Sequence, residues 1–573
     1  MRLHYSTVLA IITGALAASP GAGAPPVQAA KLVASDGESF DTMGYSSALT
    51  STAGVSSATP DIAIVGIPYD IVGTVVNKGS ANVYKRSASG AWVYEGKFVA
   101  SDGAANDYFG ASVAAFGDTA IVGAPGDDMT TNADQGSAYI FKRAVGGAWT
   151  QVAKVSAVDG AAGDYFGFSI GITNTTLAGT TTADMAVIGA PYDDFTTLLD
   201  QGSAYIFKKS TAGVWAQEGK FWAIGADGAA NENFGTAVAV RGDRALLGCP
   251  FDDFSGFVDR GSAYIWKRAS SGAWSQDAKI VAADGAGGDQ FGASLSIASD
   301  QAIVGAPGDD FGTVADRGSA YVFQLSGATT WNQAAKLVAG DGLASDFFGS
   351  SVSIDDTVAV ATAHGDDGLA GSGTATYTDI GAAYLFTRAG TATWTEKARF
   401  TAADGQAGKL FGDSAAQWGA WAVVGAAGDD IGTPLRQDQG SAYVFELLPI
   451  DCNNNGVPDA EDIASGIAQD CNANQIPDSC DLASGASQDC NGNLIPDSCE
   501  LGGGGDSDSD GKLDACERAL GDFDLNGLID GLDMALILSA WGSSTPAYAD
   551  LNHDGSIGGG DLTAIFSRWG VLP

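Results

Sequence analysis

Oxygen-bearing side chains at fixed spacing crowd the last quarter of this 573-residue sequence. Asp451, Asn453, Asn455, Asp459 and Asp462 hold positions 1, 3, 5, 9 and 12 of a loop, with Gly456 at position 6 for the sharp turn. That spacing folds alternate oxygens around a hard cation, and calcium is the cofactor it implies. It recurs with Asp470, Asn472, Asn474, Asp478 and Asp481, then with Asp489, Asn491, Asn493, Asp497 and Glu500. A fourth copy has Asp506, Asp508, Asp510, Asp514 and Glu517. The second and third copies carry Gln475 and Leu494 where Gly is preferred, which weakens the turn. Two further loops follow, one built from Asp522, Asp524, Asn526, Asp530 and Asp533, the other from Asp550, Asn552, Asp554 and Asp561.

Cysteines sit inside the first four loops. Position 2 is Cys452, Cys471 and Cys490 in the first three copies, and position 11 is Cys480, Cys499 and Cys516 in the last three. Six cysteines allow fifteen connectivities. One uniform rule uses all of them, position 2 of each copy bonded to position 11 of the next, which gives Cys452 to Cys480, Cys471 to Cys499 and Cys490 to Cys516. The set resembles thrombospondin type 3 calcium repeats. A solvated acidic linker would need neither the ligand spacing nor the cysteines.

After each of the last two loops an apolar helix face is predicted: Met534, Ile537, Leu538 and Trp541, then Leu562, Ile565, Phe566 and Trp569. The spacing implies two helices sharing a small core. Residues 520–573 resemble a type I dockerin, a paired calcium-loop module, and the resemblance implies a cohesin-like partner. Positions 10 and 11 of the loops, hydroxyl residues in dockerins, are here Gly531 and Leu532, then Gly559 and Gly560.

Covalent chemistry leaves few traces. No zinc helix, nucleophile elbow or phosphate loop is present. His364 replaces a repeated Pro and His553 lies inside a calcium loop, so neither reads as a general base. Cys249 replaces a repeated Ala and reads as a small buried thiol. Arg241-Gly242-Asp243 aligns with the turn Phe116-Gly117-Asp118 of another repeat and is read as a turn. One Trp per unit, as at Trp149 and Trp274, is read as packing.

Ahead of these loops one phrase recurs from residue 31 to residue 445. Its clearest copy runs Phe291-Gly292-Ala293-Ser294, Ala302 to Asp310, Gly318 to Phe323, then Trp331 and Lys336 to Ala339. The Phe-Gly element returns at Phe109, Phe166, Phe234, Phe348 and Phe411, with Met43-Gly44 as a degenerate first copy, so there are seven units. Each holds four short apolar runs separated by Gly, Asp and Ser turns, the pattern of a four-stranded antiparallel blade. The seventh unit lacks its fourth strand, whereas Lys31 to Ala34 precedes the first unit without a partner. The N-terminal strand is therefore expected to complete the last blade and close the ring. The phrases resemble the FG-GAP repeats of the integrin alpha-chain propeller. The fold class expected is all-β, a seven-bladed β-propeller with a C-terminal calcium-loop stalk and a small helical dockerin-like module.

Strand order predicts one acidic face. Asp pairs with a later Asp recur in six units, as at Asp127, Asp128 and Asp134, beside acids such as Asp102 and Asp107. They are read as turn caps, with a ring of metal sites as the alternative. Basic residues such as Lys142 and Arg143 fall at the opposite ends of the strands.

With 28 Lys and Arg against 68 Asp and Glu, the net charge of −40 repels phosphate backbones and anionic headgroups, so no nucleic acid is expected as a partner. The expected organisation is a signal peptide and leader over 1–30, the propeller over 31–448, disulfide-linked calcium loops over 449–519 and the dockerin-like pair over 520–573. Export follows from the polar start, the apolar run Val8 to Ala18 and the clustered cysteines, and no membrane span is expected. The function read from the sequence is a secreted, non-catalytic binding or adhesion protein with a protein or glycan ligand on the acidic face. The alternative is a subunit of an extracellular polysaccharide-degrading assembly.

Overall fold

In the computed structural model each repeat is a four-stranded antiparallel sheet, and seven such sheets form an all-β propeller. The structure describes residues 25–53, 59–175, 182–195, 197–223, 228–327, 329–367, 378–389, 393–432, 436–448, 459–471, 477–484, 487–490, 492–501, 505–507 and 512–571. The expected signal segment before residue 25 lies outside them. The chain divides into two compact units, Pro25–Leu448 and Pro449–Pro573.

Blade two shows the plan: Ser112–Phe116 is innermost, followed outward by Thr119–Ala124, Ser137–Arg143 and Trp149–Val155. The second strand is buried along its whole length because both of its faces pack on neighbouring blades. The outer strand alternates, with one side toward water. In the last blade the outer strand is Val27–Leu32, antiparallel to Ser441–Glu446, with Leu32 opposite Ala442. Closure is as the unpaired N-terminal strand implied, but the strand begins at Val27, four residues ahead of the expected boundary. Pairing it inside the ring removes two open edges.

The Phe-Gly element joins one blade to the next. Phe109 is fully buried against Tyr139 and Phe141 of blade two, while its backbone bridges Gly79 of blade one. The glycines permit this approach: a Cβ on Gly123 would lie 2.0 Å from the carbonyl oxygen of Gly167.

In the second unit each of the first four loops leads into a short helix that starts at position 9: Asp459–Ala464, Asp478–Ser484, Asp497–Glu500 and Asp514–Leu520. The last two loops lead into Gly531–Ser539 and Gly559–Ser567. Their shared core corrects the expected helix face. Ile537 and Ile565 are fully buried, but Leu538, Trp541, Phe566 and Trp569 are 48–56% exposed. Phe523, Ile529, Ala549 and Ile557, contributed by the loops, complete the core instead. Helices of nine residues leave much of the apolar stripe without a partner.

Candidate functional site

The first strands of the seven blades surround a central channel whose mouth is a cavity of about 840 Å³. Its rim comes from the residue two after the Phe of each Phe-Gly element: Tyr45, Ala111, Phe168, Thr236, Ala293, Ser350 and Asp413. Six residue types occupy these seven positions, Ala alone occurring twice, whereas the next position inward is Ser in six of seven blades, at Ser46, Ser112, Ser169, Ser294, Ser351 and Ser414. Those serines are structural: Ser112 Oγ donates to the Gly167 carbonyl at 2.7 Å and Ser294 Oγ to that of Gly349 at 2.7 Å, binding one blade to the next. The symmetry of the scaffold therefore breaks at the surface a ligand would meet.

One side of the mouth is aromatic. Tyr45 and Tyr69 meet edge to face at 6.5 Å, Tyr69 and Tyr108 at 5.5 Å, and Phe168 lies 6.3 Å from Tyr192. At the ring position next to Tyr45, Asp413 accepts a backbone N–H from Ala427, and burial pushes its carboxyl up to about 7. His364 stacks on Phe347 at 5.5 Å, and burial lowers its pKa. This pairing leaves the imidazole as part of the wall. Sequence reasoning missed the rim, although aligning the units on Phe-Gly exposes the one-in-seven variation.

The acidic residues around the mouth are bound into the scaffold. Asp127 Oδ2 accepts from Ser137 Oγ, from the Tyr139 hydroxyl at 3.0 Å and from Lys154 Nζ at 2.7 Å, and Lys154 also meets Asp102 at 2.8 Å. Asp193 with Lys220, Asp252 with Lys279, Asp309 with Lys336 and Asp366 with Arg399 repeat the pairing. In the last blade Lys31, from the N-terminal strand, pairs with Asp429 at 2.7 Å. The second Asp of each pair caps a turn: Asp128 Oδ1 accepts the Asp134 N–H at 2.9 Å, and Asp310 that of Asp316 at 2.9 Å. This is turn-cap geometry. The face also carries outer-strand cations at one basic position per blade, which the expectation of a purely acidic face overlooked. Lys142 and Arg143 lie at the other end of their strand, paired with Asp118 and Glu95 at 2.5 Å each.

One layer of carboxylates stays short of countercharge. Asp41, Asp107, Asp164, Asp289 and Asp346, two residues before the Phe-Gly position, are each pushed up to about 6, by burial first and by neighbouring carboxylates after it. Glu232 at the same place is pushed up to about 7. The seventh blade has Lys409 there, 2.8 Å from Asp429.

The tail brings its oxygen ligands together most tightly in the fifth loop. Carboxylate oxygens of Asp522, Asp524 and Asp533 lie within 4.8 Å of one another, and Asp522 and Asp533 are fully buried. Their partners are backbone donors: Phe523 N–H to Asp533 at 2.7 Å and Gly527 N–H to Asp522 at 2.8 Å. An all-oxygen set with two buried like charges and the exposed Asp524 fits a hard cation such as calcium. Asp530 instead caps the following helix through Leu532 N–H at 2.7 Å, and the Asn526 side chain accepts from Leu528 N–H at 2.9 Å. The sixth loop repeats the frame, with Gly555 N–H donating to Asp550 and Gly558 N–H to the buried Asp561, but Asn552 and Asp554 are exposed and bonded to each other at 3.0 Å.

In the earlier loops position 9 accepts the position 2 N–H, as in Cys471 to Asp478 at 3.0 Å, Cys490 to Asp497 at 3.0 Å and Ser507 to Asp514 at 2.7 Å. Asp489 accepts from Asn493 and Leu494 N–H, and Asn493 donates to Glu500 at 2.7 Å. Asp459, Asp462, Asp481 and Glu517 are buried on the short helices, and Asp470 and Asp506 are described at their loop starts. Asp451, Asn453, Asn455, Asn472, Asn474, Asn491, Asp508 and Asp510 lie outside the described residues. Disulfides join Cys471 to Cys499 and Cys490 to Cys516, with Cα atoms 5.6 and 5.5 Å apart. Cys480 is disulfide-bonded, and its expected partner Cys452 lies outside the described residues. Cys249 is a buried thiol outside the disulfides, donating to the Glu232 carbonyl at 3.3 Å.

The FG-GAP repeat family matches residues 92–141, 149–207, 215–266, 274–323, 331–386 and 394–445, each match running from the outer strand of one blade to the third strand of the next. A search of the curated proteins finds no match.

Proposed function

Because the chain belongs to the FG-GAP repeat family, we propose that it is a secreted, non-catalytic binding or adhesion protein whose ligand enters the channel mouth on the Asp-bearing face. The carrying observation is the rim: seven positions equivalent by repeat hold six different residue types, from Ala to Tyr and Asp, around one 840 Å³ cavity, of a size that suits a ligand. Repeating positions hold the ring together, and positions that break the repeat are free to select a partner. Calcium in the tail loops neutralises their carboxylates, with Asp522, Asp524 and Asp533 as ligands, and stiffens the disulfide-linked stalk. The last loop pair is a dockerin-like attachment module, its exposed Leu538, Trp541, Phe566 and Trp569 forming the surface toward a cohesin-like partner. The exposed rings at the mouth also suit the second reading, glycan recognition within a polysaccharide-degrading assembly.

The test is a protein and glycan binding array probed with the full chain and with Ala111→Trp, which fills the mouth. Binders of the wild type that the variant loses place the ligand in the channel. Equal binding by both chains overturns that placement, and turnover of any polysaccharide overturns the non-catalytic reading.

A further inference from the structure

The ring of aspartates around the mouth has a repeated answer to its own charge. Asp127, Asp193, Asp252, Asp309, Asp366 and Asp429 each hold a Lys or Arg within 2.8 Å. Asp413 differs. It stands on the rim itself, it makes no ion pair among the described residues, and its carboxylate accepts one backbone N–H, from Ala427. Among the described residues no Lys or Arg lines the cavity, and the titratable groups that do are Asp413, Asp438, His364, Tyr45 and Tyr69.

The facing rings show the same vacancy of charge. Inside the blades Lys154, Lys220 and Lys31 lie 5.1–5.2 Å from the centroids of Tyr139, Tyr205 and Tyr443. At the mouth Tyr45 and Tyr69 are 45% and 38% exposed, set edge to face, and no cation covers either among the described residues. Tyr45 is the ring position next to Asp413, since blade one follows blade seven around the closed ring.

Resting on the channel-mouth reading above, we infer that this site takes a small organic cation, an ammonium group on an apolar body, seated between the Asp413 carboxylate and the Tyr45 and Tyr69 rings. A carboxylate and aromatic faces together are the donor set for an ammonium ion. Anions meet Asp413 and Asp438 with no Lys or Arg among the described lining residues to hold them. A neutral ligand covers the rings and, by excluding water, leaves the carboxylate without a countercharge, a costly arrangement. A bare metal ion finds too few ligands, since no third carboxylate, His or Cys converges on Asp413 among the described residues. The net charge of −40 raises the local concentration of cations.

The probe is choline, compared with its neutral isostere 3,3-dimethylbutan-1-ol, titrated into the full chain at pH 8 and followed by calorimetry. Saturable 1:1 choline binding is expected, with the isostere at least tenfold weaker. Asp413→Asn should lose at least tenfold for choline with no change for the isostere, and Tyr45→Ala should weaken both. Absence of saturable choline binding, equal binding of the two probes, or wild-type choline affinity in Asp413→Asn overturns the inference. If Asp413→Asn does not fold, the comparison of the two probes on the wild type still decides it. An array ligand lost in Ala111→Trp but retained in Asp413→Asn would keep the channel as the binding site and remove the ammonium assignment.

Discussion

Asp107→Asn should make the propeller more stable at pH 8. Asp107 is 2% exposed, accepts the Ala104 N–H at 2.6 Å, and is destabilised as an anion by burial first and then by Asp127, with Lys154 opposing. In the folded chain its carboxyl is pushed up from 3.8 to about 6. Folding therefore takes up a proton between those values, and stability falls as the pH rises through that window. Above it the cost is constant, about 3 kcal/mol as a ceiling for a displacement of about two pH units. Asn keeps the acceptor for Ala104 and removes the charge. Denaturant unfolding of the full chain in chelator should show the variant more stable by up to about 3 kcal/mol at pH 8, the difference shrinking toward zero near pH 4. A variant that is less stable than wild type at pH 8 refutes the reasoning, because the ionised carboxylate would then be making a favourable contact. If that reversal appeared only with calcium added, the contact would be a cation at the blade junction.

Deleting residues 25–32 removes the outer strand of the last blade and Lys31, leaving Asp429 with Lys409 as its one cation among the described residues; a large fall in propeller melting temperature is expected, and unchanged melting would count against closure by this strand. Leu494 holds position 6 of its loop at φ 68°, so Leu494→Gly should relieve about 1 kcal/mol and raise calcium affinity about fivefold, read by calcium titration. Chelation should loosen the tail, each independent site losing about 2.7 kcal/mol relative to a hundredfold calcium excess, while propeller melting stays unchanged in calorimetry. Non-reducing peptide mapping should recover Cys452 joined to Cys480, and a Cys471 to Cys480 fragment would contradict the ladder.

What the sequence made legible follows from where the information sits. Blade count, strand order and the closing strand depend on local spacing repeated seven times, so each unit corroborates the others. In the tail, the loop spacing follows from side chains a few residues apart, whereas the short helices that start at position 9 of the first four loops were not read, being too short to show an apolar period. The outward turn of Leu538 and Trp541 was not legible, because the helical period identifies an apolar stripe but not how much of it finds a partner; Phe523 and Ile557 from the loops took that place. Lys154 was visible as a recurring basic residue, yet its pairing with Asp127 requires the outer strand and the turn two strands inward to meet at one end of the blade. The rim is the extreme case. Tyr45 and Asp413 are 368 residues apart in the sequence and become neighbours only when the ring closes. A repeat search rewards agreement between units and discards differences such as Tyr45 against Ala111 as noise. In a closed ring those differences converge on a single axis, so the residues that least resemble one another across the seven units are the ones that share a cavity.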